Sequence, residues 1–201
     1  MSLARSFAAL ARACEKAGLG HRITTLSPRA TAYSGGSRKA DPSAADVRRW
    51  LPPEYRELVD AVGYPAFDLG ERHRMCFLPP PAILQVTGAM GDPARPFAET
   101  RALREKKKYE WPFAFFAGWE LGDVNGWCFM PDDSPKNRGI VVWNVEDSLP
   151  ESPEGPFDRW CEKHLAAAAK SIDSPAKVKK LLRAFADAED DRKTIRLSDF
   201  V

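Results

Sequence analysis

Phe113-Ala-Phe-Phe-Ala-Gly-Trp119 and Trp127-Cys-Phe-Met130, joined through Asp123-Val-Asn-Gly126, are the stretches whose reading decides the fold of this chain. Both runs are apolar and aromatic. Asn-Gly tolerates the positive φ angles of a tight hairpin, so the pair reads as two strands joined by that turn. A third strand, Ile140-Val-Val-Trp-Asn-Val145, follows a polar loop and is apolar on both faces, as a covered strand would be. Four of the six tryptophans fall between residues 111 and 143, which marks this meander as the aromatic centre of the protein.

The rim of the meander is acidic. Residues 111–160 hold nine acidic side chains (Glu120, Asp123, Asp132, Asp133, Glu146, Asp147, Glu151, Glu154, Asp158) against Lys136, Arg138 and Arg159, a local net charge of −6 in a chain whose net charge is +2. Residues 1–110 carry the compensating excess, at +6. The charge is segregated but nearly balanced overall, which excludes a whole-molecule nucleic-acid signature. With 201 residues, 44% of them hydrophobic and 29% charged, the chain has an ordinary globular composition and the length to bury a core.

No secretory signal is expected, because Arg5, Arg12, Glu15 and Lys16 interrupt the apolar N-terminal stretch. No run approaches the roughly 20 apolar residues of a membrane span. The cysteines Cys14, Cys76, Cys128 and Cys161 are scattered in apolar surroundings, which suits reduced, buried thiols in a cytoplasmic protein.

Outward from the meander, helices are expected at both ends. Leu3, Phe7, Leu10 and Cys14 recur at helical spacing before Gly18. Residues 19–43 turn small and polar and read as a linker or mobile loop. A short helix over 44–50 ends at Leu51-Pro-Pro53, and Pro53 opens a second with Tyr55, Leu58, Val59 and Val62 on one face and Gly63 as its stop. Arg74-Met-Cys-Phe-Leu78 reads as a strand closed by Pro79-Pro-Pro81, followed by weaker helices near 82–90 and 97–109. Phe157, Trp160, Cys161, His164, Leu165 and Ala168 mark a strong helix, and Ser174-Pro175 starts a last one carrying Val178, Leu181, Leu182 and Phe185. The fold class is α+β, with an antiparallel sheet of about four to six strands flanked by helices.

Catalytic patterns are missing. No phosphate-binding loop, dinucleotide fingerprint, His-Glu-x-x-His helix or Gly-x-Ser-x-Gly elbow occurs. His21, His73 and His164 have no ligand spacing and there is no Cys-x-x-Cys, so neither a metal nor a cofactor is expected. His164 reads as a hydrogen-bonded core histidine. Asp132 and Asp133 sit between Pro131 and Pro135, a turn composition that accounts for them without chemistry. Together with Glu146 they supply the residues of a competing reading, a small metal-dependent hydrolase. Arg104-Glu-Lys-Lys-Lys108 is the densest basic run and reads as the solvated face of a helix, not a nucleic-acid contact. Trp127 and Trp143 read as core, whereas Trp119, at a strand end beside Glu120, keeps an exposed edge.

Leu51-Pro-Pro-Glu-Tyr-Arg-Glu-Leu-Val-Asp-Ala-Val-Gly63 resembles the opening helix motif of the SUKH superfamily, the Smi/Knr-like domain. The Trp111-Pro-Phe113 entry, the Gly122-Asp123 turn, the strands at 127–129 and 140–145, and the Phe157-Asp-Arg-Trp160 helix follow in that family's order, over roughly residues 44–170. The resemblance implies a small antiparallel sheet flanked by helices. On that reading, residues 1–43 are an N-terminal helix and flexible linker, and 171–201 a C-terminal helix and tail packed on the same domain. It also implies a non-enzymatic binding protein: an immunity protein that neutralises a cognate bacterial toxin or, as an alternative, a scaffold like the fungal cell-wall regulator. The family shares no catalytic residues to carry over. Its partner here is expected to be a basic protein, neither membrane nor nucleic acid, docking on Trp119, Glu120, Asp123, Asp132, Asp133, Glu146 and Asp147.

Overall fold

The computed structural model describes residues 2–31, 44–70, 73–89, 114–119, 125–129, 139–144 and 153–190. Within them the protein is α+β. Helix α1 (Leu3–Lys16) buries Phe7, Leu10 and Cys14, the apolar positions of its sequence pattern. A single 3-10 turn, Gly20–Arg22, leads into strand β1 (Ile23–Leu26). Helices α2 (Ala44–Trp50) and α3 (Pro53–Val62) flank the Pro52-Pro53 step, with Pro53 in the first turn of α3. Gly63 ends α3 at φ 82°, where a Cβ would stand 3.1 Å from Thr25 Cβ, so only glycine fits without strain.

Strands β2 (Tyr64–Asp68) and β3 (Arg74–Phe77) follow, then α4 (Pro80–Ala89). The meander supplies β4 (Ala114–Gly118), β5 (Gly126–Phe129) and β6 (Ile140–Asn144). A two-residue β7 (Gly155–Pro156) runs directly into α5 (Phe157–Ser171), and α6 (Pro175–Asp190) closes the described chain. The seven strands form one sheet in sequence order, every neighbouring pair antiparallel.

Three expectations need correction. The sheet has seven strands and is not small. Part of the excess comes from the stretch read as a linker, since residues 23–26 pair along their whole length with β2. The rest comes from β2 itself and from β7. Pro65 hides β2 in the sequence because proline cannot donate to a ladder, yet Pro65 lies opposite Thr25 and outside the β3 ladder, which begins at Ala66 and Cys76.

Gly126 does not supply a positive φ for a tight turn; it is the first residue of β5, opposite Gly118. A Cβ there would stand 2.4 Å from the Ala117 carbonyl oxygen, so glycine is required by close strand approach. Of the apolar residues carried by the last helix, Leu182 is 44% exposed and Phe185 is buried. The helix expected near 97–109, the Trp111-Pro-Phe113 entry and Arg104–Lys108 lie outside the described residues.

One face of the sheet carries the core. Phe67 and Met75, Trp127 and Trp143, and Phe129 and Val141 are cross-strand pairs on that face. Tyr55 of α3 is its hub: the ring lies within 6.0 Å of Phe77, Phe116, Phe129 and Phe157, and the hydroxyl donates to the Leu78 carbonyl at 2.8 Å. Helices α1, α3 and α5 pack on one another over this cluster. Ala66, Cys76, Cys128 and Val142 point to the other face and are buried as well, and α4 packs on β4 and on α2. All four cysteines are buried and none forms a disulfide. Burial pushes the Cys161 thiol up to about 12 and the Cys14 thiol up to about 11, which makes both poor nucleophiles. Among the described residues, no helix is long and apolar enough to cross a membrane.

Candidate functional site

The sheet register sorts the residues expected to form the docking surface. Gly118, Gly126 and Asn144 lie side by side across β4, β5 and β6, so Trp119 and Asn125 stand at one end of the sheet. Phe129 and Gly139, which flank the segment of Asp132 and Asp133, stand at the opposite end of β5 and β6. Of the seven expected residues, Trp119 is described; Glu120, Asp123, Asp132, Asp133, Glu146 and Asp147 lie outside the described residues.

Trp119 follows the last residue of β4 and is 45% exposed, so its expected open edge is present. It is also anchored. Its ring lies 5.3 Å from Trp143, which meets Trp127 at 4.7 Å in an edge-to-face contact, and Trp127 meets Trp160 of α5 at 5.3 Å. This row of four tryptophans descends from solvent into the core, with Trp127 only 7% exposed and Trp143 partly buried. Aromatic pairs in this geometry hold one another's orientation through their quadrupoles.

His164 stands beside the row, one helical turn after Trp160 on α5, with ring contacts of 4.7 Å to Trp160 and 5.3 Å to Trp127. It is not the hydrogen-bonded core histidine expected from the sequence: its side chain is 25% exposed, and its buried Nε2 has no hydrogen-bond partner. Glu154 comes closest, with Oε2 at 3.9 Å, while its Oε1 accepts from Trp127 Nε1 at 3.0 Å. Burial outweighs that distant carboxylate. Desolvation first, then the charges of Lys163 and His73, lower the His164 pKa to about 4, so the imidazole is neutral near pH 7.

A cavity of about 300 Å3 opens between His164 and this end of the sheet. Phe67, Met75 and Trp127 are its apolar lining, Trp119 is a further aromatic wall, and His73 joins from the β2–β3 turn and Arg74 from the start of β3. Arg74 Nε lies 3.9 Å from Asp68 Oδ2, which also faces Arg22 Nη1 at 3.7 Å, and the Arg22 guanidinium sits 3.8 Å over the Phe185 ring of α6. The Arg74 charge is therefore shared into a chain of partners that ties α6 to the rim of the sheet. Phe67, Met75, His73, Arg74 and His164 were not singled out as a site from the sequence. They come from two strands, a turn and a helix, and no local spacing joins them.

A second cleft, of about 390 Å3, lies where α3 and α5 begin, around Trp50, Pro52 and Phe157. Arg49 and Arg56 line it, and so do Glu54 and Asp158, so its charges balance. Among the described residues, no group of three His, Cys, Asp or Glu side chains is placed to hold a metal ion. Comparison with protein-family models, with curated proteins and with solved structures finds no match to this chain.

Proposed function

We propose that this chain is a non-enzymatic, cytoplasmic protein-binding module that docks a basic partner at the end of the sheet bearing Trp119, and that it serves as an immunity protein against a bacterial toxin. The observation that carries the docking reading is Trp119 itself: a large aromatic side chain, 45% exposed, yet braced by Trp143, which Trp127 backs in turn. Interface anchors are drawn from tryptophan, tyrosine and arginine, and a braced indole loses little freedom on binding. The acidic residues of 111–160 add a steering field for a basic partner. The toxin reading rests on the resemblance of Leu51–Gly63 to the Smi/Knr-like motif, and Tyr55 of that motif is the hub of the buried aromatic cluster.

The test is association with the product of a neighbouring toxin gene, followed by surface plasmon resonance over a range of salt concentrations. Trp119→Ala is expected to weaken binding by about 2 kcal/mol or more with the fold intact. Asp132→Lys with Asp133→Lys is expected to slow association and flatten its salt dependence. Stoichiometric metal in the purified protein, lost on changing Asp132, Asp133 or Glu146, would instead favour the hydrolase reading.

A further inference from the structure

We propose that the cavity beside His164 is a receptor subsite for a single uncharged aromatic ring, the side chain of a phenylalanine or related residue projecting from the docked partner. The source of the ring rests on the docking reading above, and the preference for a ring rests on the cavity alone.

The size sets the first limit. About 300 Å3 is the lower bound of small-ligand sites, room for one ring and its stem but not for a dinucleotide or a haem. The lining sets the second. Phe67 and Met75 are cross-strand partners on the core face of the sheet, and Trp127 projects from the same face. Trp119 and His164 complete the walls, so three of the surfaces presented to an occupant are aromatic. Trp127 already meets Trp143, Trp160 and His164 edge to face. A ring in the cavity extends that arrangement, which an aliphatic side chain cannot do.

Charge sets the third limit. An ammonium or guanidinium group would approach His73 and Arg74, both on the cavity lining. A carboxylate would find Arg74 already facing Asp68, with Glu154 close behind Trp127 and His164. Neither sign of charge is matched, and burying an unmatched charge is costly. A neutral His164 adds no charge of its own to the wall. The occupant that satisfies size, lining and charge is an uncharged ring.

The experiment titrates the purified full chain with N-acetyl-phenylalaninamide, N-acetyl-leucinamide and N-acetyl-lysinamide, following the indole N–H resonances of Trp119 and Trp127. The phenylalanine probe is expected to shift both saturably, with an affinity of about millimolar for a group of this size. The leucine probe is expected to bind about three- to ten-fold more weakly, and the lysine probe to give no saturable shift. Trp119→Ala should lower affinity for the phenylalanine probe several-fold with an unchanged circular dichroism spectrum. No saturable shift up to the solubility limit, or equal affinity for the leucine probe, overturns the proposal. If Trp119→Ala unfolds the chain, the preference of the unaltered protein among the three probes still decides it. A toxin that binds tightly to a chain indifferent to all three probes sinks the subsite and leaves docking standing. Ring selectivity in a chain that captures no partner supports the subsite and removes the docking reading.

Discussion

The ring cluster around Tyr55 and the tryptophan row ending at Trp119 lie on the same face of one sheet, and they meet opposite fates. Phe116 and Phe129 stack 4.0 Å apart beneath α3 and α5, with Tyr55 and Phe157 closing over them, and none of these rings reaches solvent. The tryptophan row starts equally deep, at Trp160, and emerges at Trp119, which is 45% exposed. Aromatic content does not separate the two. What separates them is the helical cover among the described residues: Tyr55 of α3 and Phe157 and Trp160 of α5 all close over the first, while the second is met by the Trp160–His164 turn of α5 alone. The first cluster is therefore built for stability and the second is available for contact.

Phe116→Ala removes a fully buried ring that touches Tyr55, Phe129, Phe157 and Trp160, and about 3–5 kcal/mol of stability should be lost in urea denaturation. A loss below about 1 kcal/mol would mean that the cluster is loosely packed and that the contrast with the tryptophan row is false.

A smaller effect belongs to His164, at the boundary between the regions. Its unfolded pKa is near 6.5 and its folded pKa about 4, so between those values the unfolded chain holds a proton that the folded chain does not. Stability is then full above about pH 6.5 and declines as pH falls toward 4, by up to about 3 kcal/mol for this one group. Glu154 at 3.9 Å opposes the effect, and His73 and Lys163 reinforce it. Thermal melts of the unaltered chain and of His164→Gln between pH 4 and 7.5 isolate the contribution: the unaltered chain should lose stability relative to the variant as the pH is lowered. Parallel curves would mean that His164 is solvated and that the cavity wall is wetter than its geometry indicates.

Tyr55→Phe keeps the ring and deletes the hydroxyl that donates to the Leu78 carbonyl. The carbonyl loses a buried donor, so about 1–2 kcal/mol should go, with the near-ultraviolet spectrum retained. Smallest of all is Trp119→Ala, expected to change stability by no more than about 0.5–1 kcal/mol, since surface changes rarely exceed this. A sharp drop in melting temperature would place Trp119 with the core and erase the distinction between the two regions.

Much of this architecture is legible in the residues. Apolar spacing in Leu3–Cys14, Tyr55–Val62 and Phe157–Ala168 marks α1, α3 and α5, because a helix repeats its buried face every 3.6 residues. The meander strands β4, β5 and β6 are marked by aromatic and β-branched runs. Strands β1 and β2 are not legible, since Ile23–Leu26 has two threonines at its centre and lacks the aromatic run that marks β5, and Pro65 argues against a ladder. Their pairing is created by the partner strand rather than by local preference.

The sequence by itself determined the helices, the meander, the segregation of acidic charge and the exposed edge of Trp119. Only the tertiary structure decided what these elements enclose. Phe67, His73, Arg74, Met75, Trp127 and His164 are spread over nearly 100 positions and meet around one cavity because consecutive antiparallel strands and a returning helix bring their ends together. A side chain's surroundings are set by which strand pairs beside it and which helix crosses above, and neither is encoded in the few residues on either side of it. His164 shows this in one residue: its spacing placed it on the buried face of α5, and the strands brought against that face made it part of a cavity wall.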